Sequence, residues 1–238
     1  MIRFFVVLIS VAPATIWHGT RMIWATWRKS PKADCICEDG PRDWAKTILR
    51  LSAATVELEN EEVLDAHRPQ ILVANHQSWY DVLALLAEVP GRSVFVAKKE
   101  LRKIPLFGPA AAACGQIFID RRDRSQAVQS LQVANAKLEE ASPTIIMFPE
   151  GTRSATGELG PFKKGAFVLA IQSGVDIVPA AISGSREIME KGSLKIRAGS
   201  SIRVRFGEPI SVQGLGVDDR NALTEEAWQA VKALQTTP

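Results

Sequence analysis

Three runs of five residues, Gln70–Ala74 (QILVA), Thr144–Phe148 (TIIMF) and Val178–Ile182 (VPAAI), are almost wholly apolar. They are short for buried helices and lack the alternation of a half-exposed strand. Runs of this kind suit strands covered on both faces. The third run belongs to a strand expected over 176–182, and further strands are expected over 55–58, 94–97, 117–119 and 202–206. Between them lie stretches with helical spacing. Residues 43–54 put Trp44, Ile48 and Leu51 on one face. Residues 79–89 end at Pro90-Gly91, 125–141 start at a capping Ser125, and 167–173 and 219–234 complete the set. Interleaved strands and helices predict an α/β fold: a central, mainly parallel or mixed sheet flanked by helices. There is no internal repeat and no low-complexity segment.

The chain has 238 residues, which suits one large domain or a domain plus an appendage. Apolar residues at 46% are enough for a sizeable core, and 23% charged residues argue against long disorder. A net charge of +3 does not by itself point to nucleic acid, and no nucleic-acid partner is expected. The distribution of charge says more. Between Lys98 and Arg124 seven basic residues stand against Glu100, Asp120 and Asp123. That excess suits an anionic ligand or an anionic membrane surface, or simply a solvated face. The three cysteines, Cys35, Cys37 and Cys114, do not make a disulfide framework. With only three histidines, a zinc site is not expected, and a reducing, cytosol-facing location is the simplest inference.

The N-terminus poses a separate question. Phe4 to Trp17 (FFVVLISVAPATIW) carries no charge. As a helix it reaches about 21 Å, short of the roughly 30 Å hydrocarbon core of a bilayer. Extension to Trp27 supplies length but takes in His18, Arg21 and three tryptophans, residues suited to an interface. Pro13 would kink a helix there. A cleaved signal, a tilted spanning helix and a shallow helix or hairpin in one leaflet all fit. The tryptophans and the Arg28-Lys29 exit favour the last. The expected division is a membrane-embedded helical segment over 1–30 and an α/β domain over 31–238.

Two stretches follow buried strands directly, where α/β proteins gather their ligand and catalytic groups. Asn75-His76-Gln77-Ser78-Trp79-Tyr80-Asp81 opens a helix at Ser78. A bend there brings His76 to Asp81, and a carboxylate on one imidazole nitrogen leaves the other as a base. The plainer reading is a packed histidine and an aspartate complementing the helix dipole. Phe148-Pro149-Glu150-Gly151-Thr152-Arg153 offers glycine for close backbone approach, a hydroxyl and a forked cation suited to phosphate. The plainer reading is a tight turn with an exposed arginine. Gly115 to Arg121 (GQIFIDR) delivers Arg121 at a strand end, while Asp120 pairs with ligand or with a neighbouring cation. Val178 to Ile182 is core before it is a lipid slot. No G-x-S-x-G elbow, H-E-x-x-H, P-loop or dinucleotide fingerprint is present.

Taken in order, NHQSWYD (75–81), AKKELRKIPLFG (97–108), GQIFIDR (115–121), FPEGTR (148–153) and VPAAI (178–182) resemble the glycerolipid acyltransferase family, and most of all its lysophosphatidate-acylating branch. The resemblance covers roughly residues 70 to 185 and rests on H-x-x-x-x-D and FPEGTR occurring together. It implies His76 as general base and Asp81 as its orienting partner. It implies Lys98, Arg121, Glu150, Gly151, Thr152 and Arg153 as contacts to the acceptor and its phosphate. It also implies acyl-CoA or acyl carrier protein as co-substrate, a membrane lipid acceptor, chemistry without a cofactor or metal, and an N-terminal membrane-embedded motif on the cytoplasmic face. Backbone N–H groups at the helix start after His76 are candidates to hold the oxyanion. Glycerol-3-phosphate or a lyso-aminolipid as acceptor, a lipid hydrolase or phosphatase, and a non-catalytic peripheral lipid-binding protein are the rival readings. The run Ala112-Ala113-Cys114 is unusually small-sided for its place before Gly115.

Overall fold

A computed structural model describes residues 2–120, 132–136, 138, 143–193 and 195–236, with side chains from residue 11 onward. Seven strands form one sheet in the order β1-β7-β6-β2-β5-β3-β4. They are β1 (Thr55–Glu59), β2 (Gln70–Ala74), β3 (Ser93–Lys98), β4 (Ile117–Ile119), β5 (Thr144–Met147), β6 (Ile177–Ser183) and β7 (Ser201–Phe206). Every neighbouring pair runs parallel except β6 and β7. The central strands β2, β5 and β6 are the three apolar runs, and all of β2 is buried. Alternate side chains of these strands feed two cores. Leu72 and Ala74 join Ile146, Phe148 and Val178 on one face, while Ile71 and Val73 join Val94, Ile145 and Met147 on the other. Helices cover both faces, so the sheet is the covered, mainly parallel sheet expected.

The helices are α1 (Ile2–Trp27), α2 (Ala33–Leu51), α3 (Trp79–Glu88), α4 (Phe107–Ala113), α5 (Gly165–Ser173), α6 (Ser185–Ile188) and α7 (Arg220–Thr236). The first core lies beneath α2 and α3, through Ile48, Leu49, Leu83 and Ala84. The second lies beneath α5 and α7, through Phe167, Leu169, Leu223 and Ala227. The helix expected over 125–141 lies mostly outside the described residues. Residues 132–136 are helical, and Ala134 and Leu138 belong to the second core.

The structure departs from the sequence reading near the N-terminus. Helix α2 begins at Ala33, ten residues before the expected start, and runs through Gly40-Pro41. Packing outweighs the breaker pair there. Gly40 is buried, and a Cβ on it would stand 3.0 Å from Met22 Cγ of α1. Trp44 Nε1 donates to Thr15 Oγ1 at 2.9 Å, so α1 and α2 run antiparallel. The expected boundary at residue 30 falls in the turn between them. Helix α1 continues through Pro13, and among the described residues no helix is long and apolar enough to cross a membrane. Ile16, Trp17, Trp24 and Trp27 remain exposed on α1. Cys37 of α2 is joined to Cys114 at the end of α4 by a disulfide. The sequence reading left all three cysteines unpaired, because a partner 77 residues away has no local signature, and its inference of a reducing location loses the premise it was drawn from.

Candidate active site

The site forms where β2 ends and α3 begins. Asn75 extends the β2–β6 ladder with its side chain: Nδ2 donates to Ile182 O at 2.9 Å, and Oδ1 accepts from Ile182 N at 2.7 Å. The chain then turns through His76 and Gln77 into α3. Ser78 caps that helix, its Oγ accepting from Tyr80 N, and Asp81 closes a capping box. Fully buried Asp81 collects three donors on Oδ2: Gln77 N at 2.6 Å, Ser78 N at 2.8 Å and His76 Nδ1 at 2.8 Å. A capping carboxylate thus reaches back to the imidazole, which is how residues five apart come to face each other. Because Oδ2 is an acceptor, Nδ1 carries the ring proton and Nε2 is left with a lone pair.

The same geometry corrects one expectation. The N–H groups of Gln77 and Ser78, candidates for holding an oxyanion, are both directed at Asp81.

The loop after β5 supplies the second wall. Phe148 stacks on the His76 ring, with centroids 4.1 Å apart and planes 14° apart. Gly151 has φ +73°, a left-handed conformation that favours glycine. Thr152 Oγ1 accepts from Lys191 Nζ at 3.3 Å, and the same ammonium donates to Arg153 O at 2.7 Å. The Arg153 guanidinium lies over the Trp79 ring, 5.2 Å from its centroid. Burial lowers its pKa from the ordinary arginine value, and the Asp81 charge offsets part of that.

These residues line an apolar cavity of about 620 Å³ running from His76 between the sheet and the α1–α2 pair. His76, Trp79, Gly151, Thr152, Arg153 and Lys98 stand on its wall, while Met22, Trp44, Ile48, Phe107 and Ala110 line its apolar part. Lys98 pairs with Glu100 at 3.2 Å. Asp120 meets Lys99 at 2.9 Å, the cation-pairing alternative of the sequence reading. Arg121 lies outside the described residues. Val178 to Ile182 is sheet core and does not line the cavity.

Glu150 is placed differently from its neighbours. It is buried, it is not on the cavity wall, and both its oxygens accept backbone N–H bonds, from His76 at 2.7 Å and Gly160 at 3.0 Å. Burial raises its carboxyl pKa, and those two bonds pull it back. Among the described residues no three His, Cys, Asp or Glu gather as metal ligands. Sequence reasoning did not assign roles to Asn75, Phe148 or Trp79. All three stand inside the quoted motifs, but their contacts cross the sheet or the cleft and leave no periodic trace.

Fold and site together define a covered α/β sheet with an imidazole–carboxylate pair at the head of an apolar cavity. The chain belongs to the acyltransferase family, whose model matches residues 55–183. It is 35% identical over 178 residues to human 1-acyl-sn-glycerol-3-phosphate acyltransferase alpha, covering 75% of this chain and 62% of that one. It is 36% identical over 183 residues to 1-acyl-sn-glycerol-3-phosphate acyltransferase of Saccharomyces cerevisiae, covering 76% and 59%. The chain spans about three-fifths of the length of these curated relatives. The crystal structure of the 1-acyl-sn-glycerophosphate (LPA) acyltransferase PlsC from Thermotoga maritima matches with a TM-score of 0.82 at 26% identity, over 100% of this chain and 96% of that one.

Proposed function

We propose that the protein transfers a fatty acyl group from a thioester, acyl-CoA or acyl carrier protein, to the sn-2 hydroxyl of 1-acyl-glycerol-3-phosphate. The product is phosphatidic acid. The observation that carries this reading is the 2.8 Å bond between His76 Nδ1 and Asp81 Oδ2 at the head of an apolar cavity with Arg153 on its wall. The names of the relatives point to the same reaction.

In this reading Nε2 of His76 takes the hydroxyl proton as the alcohol oxygen attacks the thioester carbonyl, and Asp81 steadies the imidazolium. The proton then leaves with the thiolate as the tetrahedral intermediate collapses, so no acyl-enzyme forms. Arg153, Thr152, Gly151 and Lys98, with Arg121, hold the phosphate, and binding away from the carbonyl positions the hydroxyl. The apolar cavity takes the acyl chain. Exposed Ile16, Trp17, Trp24 and Trp27 rest α1 on the cytoplasmic face of a membrane, the side from which the donor arrives.

Purified protein is offered both donor types with a panel of lyso-acceptors, and products are read by mass spectrometry. Phosphatidic acid is the expected product. Exclusive acylation of glycerol-3-phosphate or a lyso-aminolipid would replace the acceptor, and lipid cleavage without a thioester would replace the reaction. His76→Ala is expected to lower turnover by about 10²–10⁴-fold while remaining folded. Arg153→Ala is expected mainly to raise the Michaelis constant for a phosphate-bearing acceptor, leaving that for an unphosphorylated one unchanged.

A further inference from the structure

We infer that Glu150 is a positioning residue for the general base, holding the His76 peptide from behind, and makes no contact with the acceptor. This rests on the transfer reaction proposed above and reassigns one residue of its phosphate-binding loop.

The loop that follows β5 grips His76 at several atoms. Glu150 Oε1 accepts from His76 N at 2.7 Å, and Ser154 N donates to His76 O at 2.7 Å. Phe148 covers the ring face. The Nδ1 bond to Asp81 supplies the remaining hold, from α3. Backbone donor, backbone acceptor and ring plane are therefore fixed by residues 148–154 alone. Glu150 is the member that holds the His76 peptide through a buried carboxylate. Its second oxygen is taken by Gly160 N at 3.0 Å, which anchors the carboxylate to the following loop. Gly160 is itself held, its carbonyl accepting from Trp228 Nε1 of α7 at 3.0 Å. A chain of bonds thus runs from the closing helix through Gly160 and Glu150 to the histidine. Gly151, Thr152 and Arg153 stand on the cavity wall and Glu150 does not. Two N–H donors facing two oxygens also explain the residue type. A carboxylate accepts with both oxygens, whereas an amide accepts with one and presents N–H to the other donor.

The test is Glu150→Gln in the full-length protein, with kcat and the acceptor Michaelis constant measured separately and folding followed by thermal unfolding. One of the two bonds turns into a clash of donors. The expected result is a fall in kcat of about tenfold to a hundredfold with the acceptor constant within about twofold of wild type. A raised acceptor constant with kcat retained would assign Glu150 to the acceptor and overturn the proposal. Wild-type values for both would overturn it as well.

A second measurement needs neither turnover nor a variant at 150. The chain has three histidines, so selective ¹⁵N-histidine labelling gives three backbone amide signals, assigned by replacing His18 and His67 with glutamine. The His76 amide proton is expected far downfield and slow to exchange, as a charge-assisted bond requires. A His76 amide that exchanges as fast as an open loop would sink the proposal even if Glu150→Gln fails to fold. Should wild type acylate no acceptor, the proposed reaction fails while this signal still reports on Glu150.

Discussion

Asp81 does two jobs with one oxygen, and the jobs can be separated. It closes the N-terminus of α3 by accepting from Gln77 N and Ser78 N, and it fixes the imidazole tautomer by accepting from His76 Nδ1. Asp81→Ala leaves these buried donors without their partner. It is expected to destabilise the fold by about 2–4 kcal/mol, measured by denaturant unfolding. It should also lower turnover by about 10²-fold or more. Asp81→Asn retains one acceptor oxygen, so it should recover part of the stability and little of the turnover. Equal recovery of both would mean that the carboxylate acts only as a cap. This pair was legible in the sequence because its geometry is local: a strand end, a serine cap and a carboxylate at the third helical position. The destination of Glu150 was not. Its partner His76 lies 74 residues away, and nothing near position 150 tells a ligand-facing carboxylate from one turned to the backbone.

At the scale of elements, the strand end bearing His76 is held by a side chain that behaves as backbone. Asn75, one residue past Ala74, makes both a donor and an acceptor bond to Ile182, two residues past Ala180, extending the β2–β6 pairing beyond its last backbone pair. Asn75→Ala is expected to cost about 1–3 kcal/mol of stability, because two buried backbone groups lose their partners. It should also reduce turnover, since the strand end sets where the histidine loop begins. A variant with unchanged stability would show that these bonds are replaced by water. The elements themselves were mostly readable. The apolar runs at 70–74, 144–148 and 178–182 became the central strands: the first matches β2 at both ends, the second overruns β5 by one residue, and β6 extends the third by one at each end. The clear failure was the start of α2, expected at 43 and found at Ala33, with Gly40-Pro41 inside the helix and Cys37 and Gly40 buried. The antiparallel pairing of β6 with β7 was not readable either, because a strand's direction depends on how its connection crosses the sheet.

At the scale of the molecule, the α1–α2 pair divides its surface between two tasks. Met22, Ile48 and Trp44 turn inward to the cavity, while Trp17, Trp24 and Trp27 face outward. Arg28 lies over the Trp24 ring, 5.0 Å from its centroid, which keeps a cation at the outer surface. Replacing Trp17, Trp24 and Trp27 together by alanine should weaken binding to anionic vesicles by at least about tenfold in a sedimentation assay, without lowering the unfolding midpoint. Undiminished vesicle binding would remove α1 as the contacting surface. The composition of this segment foretold the outward face. The inward face was hidden, because the residues that meet it come from 76 to 153 and assemble only when the sheet is built.

The bond between Cys37 and Cys114 ties together α2 and α4, two helices that both contribute to the cavity wall, through Trp44 and Ile48 and through Phe107 and Ala110. Helix α2 cannot lift from α4 at that point by more than two cysteine side chains allow. Under the proposed reaction, a long hydrocarbon tail would then thread in lengthwise, as into a sleeve, with no closing jaw at that end of the two helices.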